Sequence, residues 1–426
     1  MRLLKGQSAY LVISQIARGL VKKYGSIGEK NYESVIKAFS KIRVFGRVNG
    51  FLGMKFPVAL TPSDKPSWDS EKLRWFLREL DKLDVDSKVN LIRLMFYDVL
   101  NLLEKKAVSY RKAKSLVSNR LKEDEKWLEN FKWLLLAPFD RCNLNCHGCY
   151  AKSNVTGAEP DFQKIDYIIS QAKRLNVLSI LIVGKGEPFY DETSKEVLFN
   201  IAKKHRDILF KVFTNGTLIE EEDVRKIKKL GNLLPFVSVD GLKETNDWRR
   251  GEEVYKRVVE TFRLMRKHSL LFCFTTTVFR GNYAHVTSRE FVSEMTEMGN
   301  RLGLYCQFIP VGGDKDAEMA LKAENIAEYY LLLEKINKES RIPLIDADFY
   351  ERFTGCASRK GIFIYVDGIT GRVYPCIKTP FSPQECNIFH NPHKNRLLEV
   401  LQTDFFVKHR SSYSRPYPCH FMSGET

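Results

Sequence analysis

The sequence predicts an α/β chain built on a partial, curved (β/α)6 barrel, with an all-helical segment before it and a small cysteine-rich extension after it. Three observations carry this. From Lys132 onward short apolar strands alternate with amphipathic helical stretches, the pattern of a parallel sheet. Six such units fit before residue 345, too few to close an eight-stranded barrel and enough for a partial one. Residues 1–130 show helical periodicity instead, and residues 346–426 hold four cysteines. The expected domains are therefore 1–130, 131–345 and 346–426.

Composition sets the frame for this reading. The chain has 426 residues, 44% hydrophobic and 28% charged, which allows a sizeable core and two or three domains. It holds no run of 18 apolar residues, and Met1-Arg2-Leu3-Leu4-Lys5 leads into polar residues rather than a signal-like apolar stretch, so a cytoplasmic location is expected. Nine cysteines, an odd number grouped at short spacings, argue for metal ligation over a disulfide framework. The net charge of +16 is uneven: residues 1–60 carry eleven Lys or Arg against Glu29 and Glu33, a local net of +9. Such a segment suits an anionic partner, whether a membrane surface, a nucleic acid or a phosphorylated substrate.

In order along the chain, residues 8–24 place Ala9, Val12, Ile13, Ile16, Ala17 and Leu20 at helical spacing, with Arg18, Lys22 and Lys23 off that face. This basic amphipathic helix either docks on its own domain or lies on the inner membrane surface. Phe45, Phe51, Leu52, Met54, Phe56 and Val58 follow among glycines and basic residues, and Pro62 to Trp68 is a turn-rich break. Leu73, Phe76, Leu77, Leu80 and Leu83 mark another helix, and two more are expected at 87–105 and 107–130. Strands are then expected at 132–138, 177–183, 208–213, 234–239, 270–279 and 304–310. Helices fall between and after them at 162–175, 192–206, 220–231, 251–268, 285–303 and 322–340. In a parallel sheet of this kind ligands bind at the carboxyl ends of the strands, so the residues just after each strand are the site candidates.

The first strand runs into Asp140-Arg-Cys142-Asn-Leu-Asn-Cys146-His-Gly-Cys149-Tyr150, three cysteines at CxxxCxxC spacing. A short loop with this spacing can wrap three thiolates around one face of an iron–sulfur cluster and leave a fourth iron for a small molecule offering an amine and a carboxylate. Structural zinc is the alternative, with His147 among the ligands. The loop resembles the signature of the radical S-adenosylmethionine superfamily, down to Cys-Asn-Leu and the aromatic Tyr150. That resemblance implies a [4Fe–4S] cluster on Cys142, Cys146 and Cys149 with S-adenosylmethionine bound at its open iron.

The strand ends carry further signals. Gly184-Lys185-Gly186-Glu187-Pro188 looks like the family's Gly-Gly-Glu-Pro motif, with Lys185 in place of a glycine. Glycine lets the backbone approach a ligand, and the resemblance assigns Gly184, Gly186 and Glu187 to the cofactor's methionine amine. Thr214-Asn215-Gly216 and Ser238-Val239-Asp240-Gly241 match the family's order, with Ser238 a candidate for a ribose hydroxyl and Asn215 shaping its loop; both also read as ordinary turns. Arg249-Arg250-Gly251 resembles the family's Arg-Gly, which makes Arg250 a candidate for the cofactor carboxylate, with a salt bridge as the alternative. Thr275, Thr277 and Gln307 put polar groups into apolar strands and are candidates to line the cavity. Cys273 and Cys306 read as small hydrophobes inside strands and stay outside the expected site.

Cys356, Gly371 and Cys376 form C-x14-G-x4-C, and the intervening Asp-Gly and Thr-Gly predict a hairpin that brings the two thiols together. With Cys386 and Cys419 this resembles the shorter, twitch form of the superfamily's SPASM extensions and implies one auxiliary [4Fe–4S] cluster. Four thiolates also suit zinc, and His390, His393, His409 and His420 crowd the same region.

The resemblance implies an enzyme in which a reduced cluster, fed by a low-potential donor such as ferredoxin or flavodoxin, splits S-adenosylmethionine to a 5′-deoxyadenosyl radical that removes hydrogen from a C–H bond. The architecture suggests a peptide or protein substrate, and the basic N-terminus suggests a membrane lipid. An RNA-modifying enzyme fits the pI near 9.3 but lacks an RNA-binding module. An iron–sulfur electron carrier or sensor needs no cofactor pocket, and Glu187 with the ordered strand-end motifs argues against it.

Overall fold

The computed structural model describes residues 131, 133–151, 156–175, 177, 179–310, 317–348, 356–379 and 381–411. The helical readings of residues 1–130, the basic segment 1–60, and Cys419 and His420 lie outside the described residues.

One nine-stranded sheet organises the rest, in the order β7-β6-β5-β4-β3-β2-β1-β8-β9. Its strands are β1 (Trp133–Ala137), β2 (Ser179–Ile182), β3 (Leu209–Thr214), β4 (Leu233–Ser238), β5 (Cys273–Val278), β6 (Gly303–Gln307), β7 (Leu344–Asp346), β8 (Phe363–Asp367) and β9 (Val373–Tyr374). Every neighbouring pair is parallel except β8 with β9. The first six strands fall where the alternation of strand and helix predicts them. Apolar runs such as Leu134 and Leu136 are fully buried because helices cover the outer face of the sheet.

Those helices are α1 (Phe162–Arg174), α2 (Glu192–Lys204), α3 (Glu221–Leu230), α4 (Lys243–Arg250), α5 (Val254–Lys267), α6 (Tyr283–Val286), α7 (Arg289–Glu297) and α8 (Ala323–Glu339). Asp161 starts α1 by accepting from the N–H groups of Gln163 and Lys164. The helix expected at 251–268 begins only at Val254, and a separate α4 precedes it. Between them Gly251 sits at φ 114°, a conformation costly for residues with a Cβ. The helix expected at 285–303 is likewise shorter, because Ser288 caps α7 by accepting from Phe291 N–H.

The boundary expected at 345/346 falls inside β7. The chain after it extends the same sheet: β8 pairs with β1 from Trp133↔Phe363 to Ala137↔Asp367. Its side chains join the same apolar core, with Ile364, Val366 and Val373 packed alongside Leu397, Val400 and Leu401 of α9 (Arg396–Leu401) and Phe406 of α10 (Asp404–Ser411). Without β8, β1 would present an unpaired edge of N–H and C=O groups, and FIYVD is an apolar strand that satisfies it. The hairpin predicted between Cys356 and Cys376 is present as β8 and β9, its turn held by Ile369 and Thr370 N–H groups donating to Asp367 Oδ1.

The sheet curls so far that its two ends meet. Lys378, just past β9, lies 2.6 Å from Asp348, just past β7. No helix among the described residues is long and apolar enough to cross a membrane.

A candidate active site at the carboxyl ends of the strands

The loop after β1 carries Cys142, Cys146 and Cys149, and three contacts from two neighbouring segments fix its path. Glu187 N–H donates to Arg141 C=O at 2.7 Å, and His147 N–H donates to Arg249 C=O at 2.8 Å. Gly186 closes the third contact: at φ 60° its missing Cβ would lie 2.6 Å from the Phe139 carbonyl. Only glycine lets the Glu187 turn press against this loop. Cys142 is within electrostatic reach of Cys146, Cys149 and Glu187, so all three thiols gather at this mouth.

Glu187 itself is buried and accepts three hydrogen bonds. Oε1 takes the Thr214 hydroxyl at 2.6 Å and Phe189 N–H at 3.1 Å, and Oε2 takes Asn215 N–H at 2.6 Å. Burial nevertheless outweighs these bonds and pushes its carboxyl up to about 7. Asn215 shapes the loop, as expected: its amide donates to Asn143 Oδ1 at 2.8 Å, its own oxygen accepts from Thr217, and it reaches the Cys142 sulfur at 3.9 Å. Gly184, at φ 122°, leaves space filled by Tyr365 and Ala137.

Lys185, the departure from the motif, has a partner of its own. Its ammonium is buried between Asp367 of β8 at 2.7 Å and Asp140 of the cysteine loop at 3.6 Å. Thus it ties the β2 turn to both.

Arg250 is buried against Asp240, whose Oδ2 is 2.6 Å from Arg250 Nε and 2.6 Å from Arg249 Nη1. Burial alone would raise the Asp240 carboxyl, but the two guanidiniums hold it below the usual carboxylate range. Two guanidiniums on one carboxylate leave a buried net positive charge, and Cys146 and Cys149 lie within its reach. Thiolates carrying a cluster fit that field. Arg250, a candidate for the cofactor carboxylate, makes the alternative salt bridge with Asp240 through Nε.

Strand parity sorts the remaining candidates. The register Ser238↔Thr275 and Thr277↔Cys306 puts these four residues on the inner, cavity-facing side, all but Thr275 partly exposed. Gln307 falls on the opposite face: its amide donates to Tyr330 Oη of α8 at 2.6 Å and to Asp346 Oδ2 at 3.3 Å. The cavity-lining position expected for Gln307 therefore belongs to Cys306, which had read as a buried hydrophobe. Cys273 is buried, as a small hydrophobe should be.

Of the C-terminal thiols, Cys356 and Cys376 lie on segments joined by a hydrogen bond from Ser358 Oγ to the carbonyl of Pro375 at 2.6 Å. Cys386 is not brought to them. It is fully buried in the apolar core, with its sulfur 3.4 Å from Thr403 Oγ1. His409 is hydrogen-bonded to Ser358, and His393 to Glu399. Among the described residues no three His, Cys, Asp or Glu side chains form a cage for a single metal ion.

Residues 136–292 match the Radical SAM superfamily. The AdoMet-dependent heme synthase of Methanosarcina barkeri is 28% identical over 269 residues, covering 55% of this chain and 73% of that protein. The sporulation killing factor maturation protein SkfB of Bacillus subtilis is 23% identical over 239 residues, 55% of this chain and 57% of that protein. In fold, the chain is similar to Streptococcus suis SuiB bound to its precursor peptide SuiA, with a TM-score of 0.55 at 17% identity, covering 89% of this chain and 80% of SuiB.

Proposed function

We propose, for a chain that carries a radical S-adenosylmethionine domain over residues 136–292, that it removes a hydrogen atom from a C–H bond of a peptide or protein. The observation that carries this is the convergence of three loop thiols, the buried Glu187 and the Arg249–Asp240–Arg250 group at one end of the sheet. When bound, the [4Fe–4S] cluster and S-adenosylmethionine supply an electron and a 5′-deoxyadenosyl radical.

The protein's own residues do the rest. Cys142, Cys146 and Cys149 hold the cluster, and Arg250 offsets its negative charge. Glu187, already fixed by Thr214 and Asn215, receives the cofactor's ammonium, while Gly186 lets the backbone close on it. Ser238, Thr275 and Thr277 offer hydroxyls to the ribose from the inner face. The curled sheet keeps water from the reacting centre. Cys356 and Cys376 belong to an auxiliary cluster.

Support for a peptide substrate comes from SkfB, a killing-factor maturation protein, and from SuiB, crystallised with a precursor peptide. A second reading, a tetrapyrrole substrate, is favoured by the likeness to the heme synthase. The lipid reading rests on the +9 charge of residues 1–60.

The test is anaerobic incubation of iron-loaded protein with S-adenosylmethionine and a strong reductant, followed by chromatography for 5′-deoxyadenosine. Formation is expected, and peptides, iron porphyrins or anionic vesicles added in parallel should identify the substrate class by stimulating it. Absence of cleavage by well-loaded protein in every arm would return the chain to the electron-carrier reading.

A further inference from the structure

We infer that the buried hydroxyl of Tyr365 is a binding group for the substrate, taking a peptide amide at the inner wall of the curled sheet. This rests on the peptide substrate proposed above and adds a recognition point to it.

Strand parity sets the direction of the side chain. Ile364 and Val366 of β8 belong to the apolar core under the helices, so Tyr365 between them faces the inside of the curl. Its register partner on β1 is Leu135, and Tyr374 of β9 stands directly opposite it, with ring centroids 5.6 Å apart. From there the ring reaches the Gly-Lys-Gly-Glu turn: a Cβ built on Gly184 would lie 2.9 Å from the Tyr365 hydroxyl oxygen. Gly184 follows the last residue of β2 by two positions, so the hydroxyl arrives at the carboxyl ends of the strands. Tyr150, next to Cys149, is within electrostatic reach of Tyr365.

This hydroxyl has no internal partner. Tyr365 is 7% exposed, and no described residue hydrogen-bonds to its oxygen. That oxygen is not one of the fully enclosed polar atoms, so a molecule inside the curl can reach it. Tyrosines that serve the fold differ. Tyr305 Oη donates to the carbonyl of Val286 at 2.7 Å, and Tyr329 Oη donates to Asp346 at 2.6 Å. Tyr167, Tyr255 and Tyr283 donate in the same way to the carbonyl of His393, to Glu294 and to Glu328. Buried polar groups are bonded in folded proteins as a rule, and a buried phenol left open beside a site marks a place where a bound molecule supplies the partner.

Charge selects that molecule. Asp367 and Asp140 both act on the Tyr365 hydroxyl, and Lys185 is shared between them. Two carboxylates around one ammonium leave a net negative charge, which disfavours an anionic group such as a porphyrin carboxylate. Burial, helped by these carboxylates, holds the phenol above its ordinary range, so it stays neutral and can both donate and accept. A peptide group is neutral and offers a carbonyl and an N–H. The paired rings of Tyr365 and Tyr374 give the adjoining side chain an aromatic wall.

The experiment compares the iron-loaded full chain with its Tyr365→Phe variant, which removes only the hydroxyl. The probes are a set of N-acetylated, C-amidated tripeptides and, separately, an iron porphyrin with free carboxylates, each followed by equilibrium dialysis and mass spectrometry. Peptide affinity should fall about three- to tenfold in the variant, the loss of one neutral hydrogen bond, while affinity for S-adenosylmethionine stays within about twofold. Urea unfolding supplies the structural control. Tyr365→Phe should leave the midpoint unchanged or raised, because no internal bond is lost, whereas Tyr305→Phe should lower it. Unchanged peptide affinity, uptake of the porphyrin in place of the peptides, weakened binding of S-adenosylmethionine, or a midpoint lowered as far as in Tyr305→Phe would each overturn the assignment. Wild-type protein that takes up none of the peptides also overturns it, while its 5′-deoxyadenosine assay judges the radical enzyme separately.

Discussion

Replacing Glu187 by Gln isolates the charge at the centre of the site. The structure gives the carboxyl a value of about 7 against an ordinary 4.5, with burial as the main cause. Because the folded value is raised, the folded protein holds a proton there that the unfolded chain has released, so stability falls as pH rises from about 4.5 to about 7. At 1.36 kcal/mol per pH unit the fall is about 3 kcal/mol. The Gln variant lacks this dependence. Its amide puts a donor where one carboxylate oxygen would accept, as protonation of the wild-type carboxyl also does, so the variant resembles the protonated protein. Urea unfolding of both apo proteins at pH 5 and pH 8 should thus show near parity at the lower pH and the variant more stable, by up to about 3 kcal/mol, at the higher. Binding of S-adenosylmethionine at pH 8 should be about ten to a hundred times weaker in the variant, the loss of one charged hydrogen bond worth about 1.5–3 kcal/mol. A stability difference that does not change with pH would refute the burial argument, and unchanged affinity would remove Glu187 from the cofactor site.

Four further outcomes follow from the same geometry. Cys142→Ala, Cys146→Ala and Cys149→Ala should each abolish formation of 5′-deoxyadenosine, read by chromatography, because two ligands remain for the cluster. Gly186→Ala should lower the iron bound by the loop and cost at least about 1–2 kcal/mol in unfolding experiments, because a Cβ at φ 60° meets the Phe139 carbonyl at 2.6 Å. Lys185→Ala should destabilise the fold by about 3–5 kcal/mol, because it leaves Asp367 and Asp140 buried without their cation; Asp367→Asn in the same chain should recover part of the loss. Sedimentation with anionic vesicles should show binding that weakens with salt, each basic residue of segment 1–60 near the surface contributing about 1 kcal/mol, and charge reversal at Arg18, Lys22 and Lys23 should reduce it.

Much of the fold was legible because a parallel sheet under helices writes itself as short apolar runs separated by amphipathic ones. The six strands and most of the helices between them lie within a few residues of where that rhythm puts them; the helix expected at 285–303 ends early at Glu297, and α4 was not foreseen. The cysteine loop and Glu187 were legible because each sits just past a strand. What stayed hidden depends on partners far along the chain. Gln307 and Cys306 are adjacent, and only the register with Thr277 decides which one faces inward. Lys185 reads as a defect in a glycine motif until Asp367, 182 residues later, is placed beside it. Arg250 reads as a partner for a cofactor carboxylate or for a salt bridge, and only the fold shows that Asp240, which looked like one half of an Asp-Gly turn, takes both arginines. Cys386 has ligand-like spacing, and nothing local reveals that Thr403 and the core will enclose it.

The pairing of β8 with β1 also governs when this protein can be finished. Trp133 must wait for Phe363, which a ribosome working at about 5–20 residues per second reaches roughly 10–50 seconds later. Through that interval β1 has a partner on one side only, and the strand that leads into the cysteine loop stays an open edge. Lys185 meanwhile carries a charge meant for Asp367 with only Asp140 to answer it. Completion of the sheet beside the cysteine loop is thereby tied to synthesis of the last quarter of the chain, and a polypeptide cut before β8 keeps Cys142, Cys146 and Cys149 while losing the strand that braces their loop.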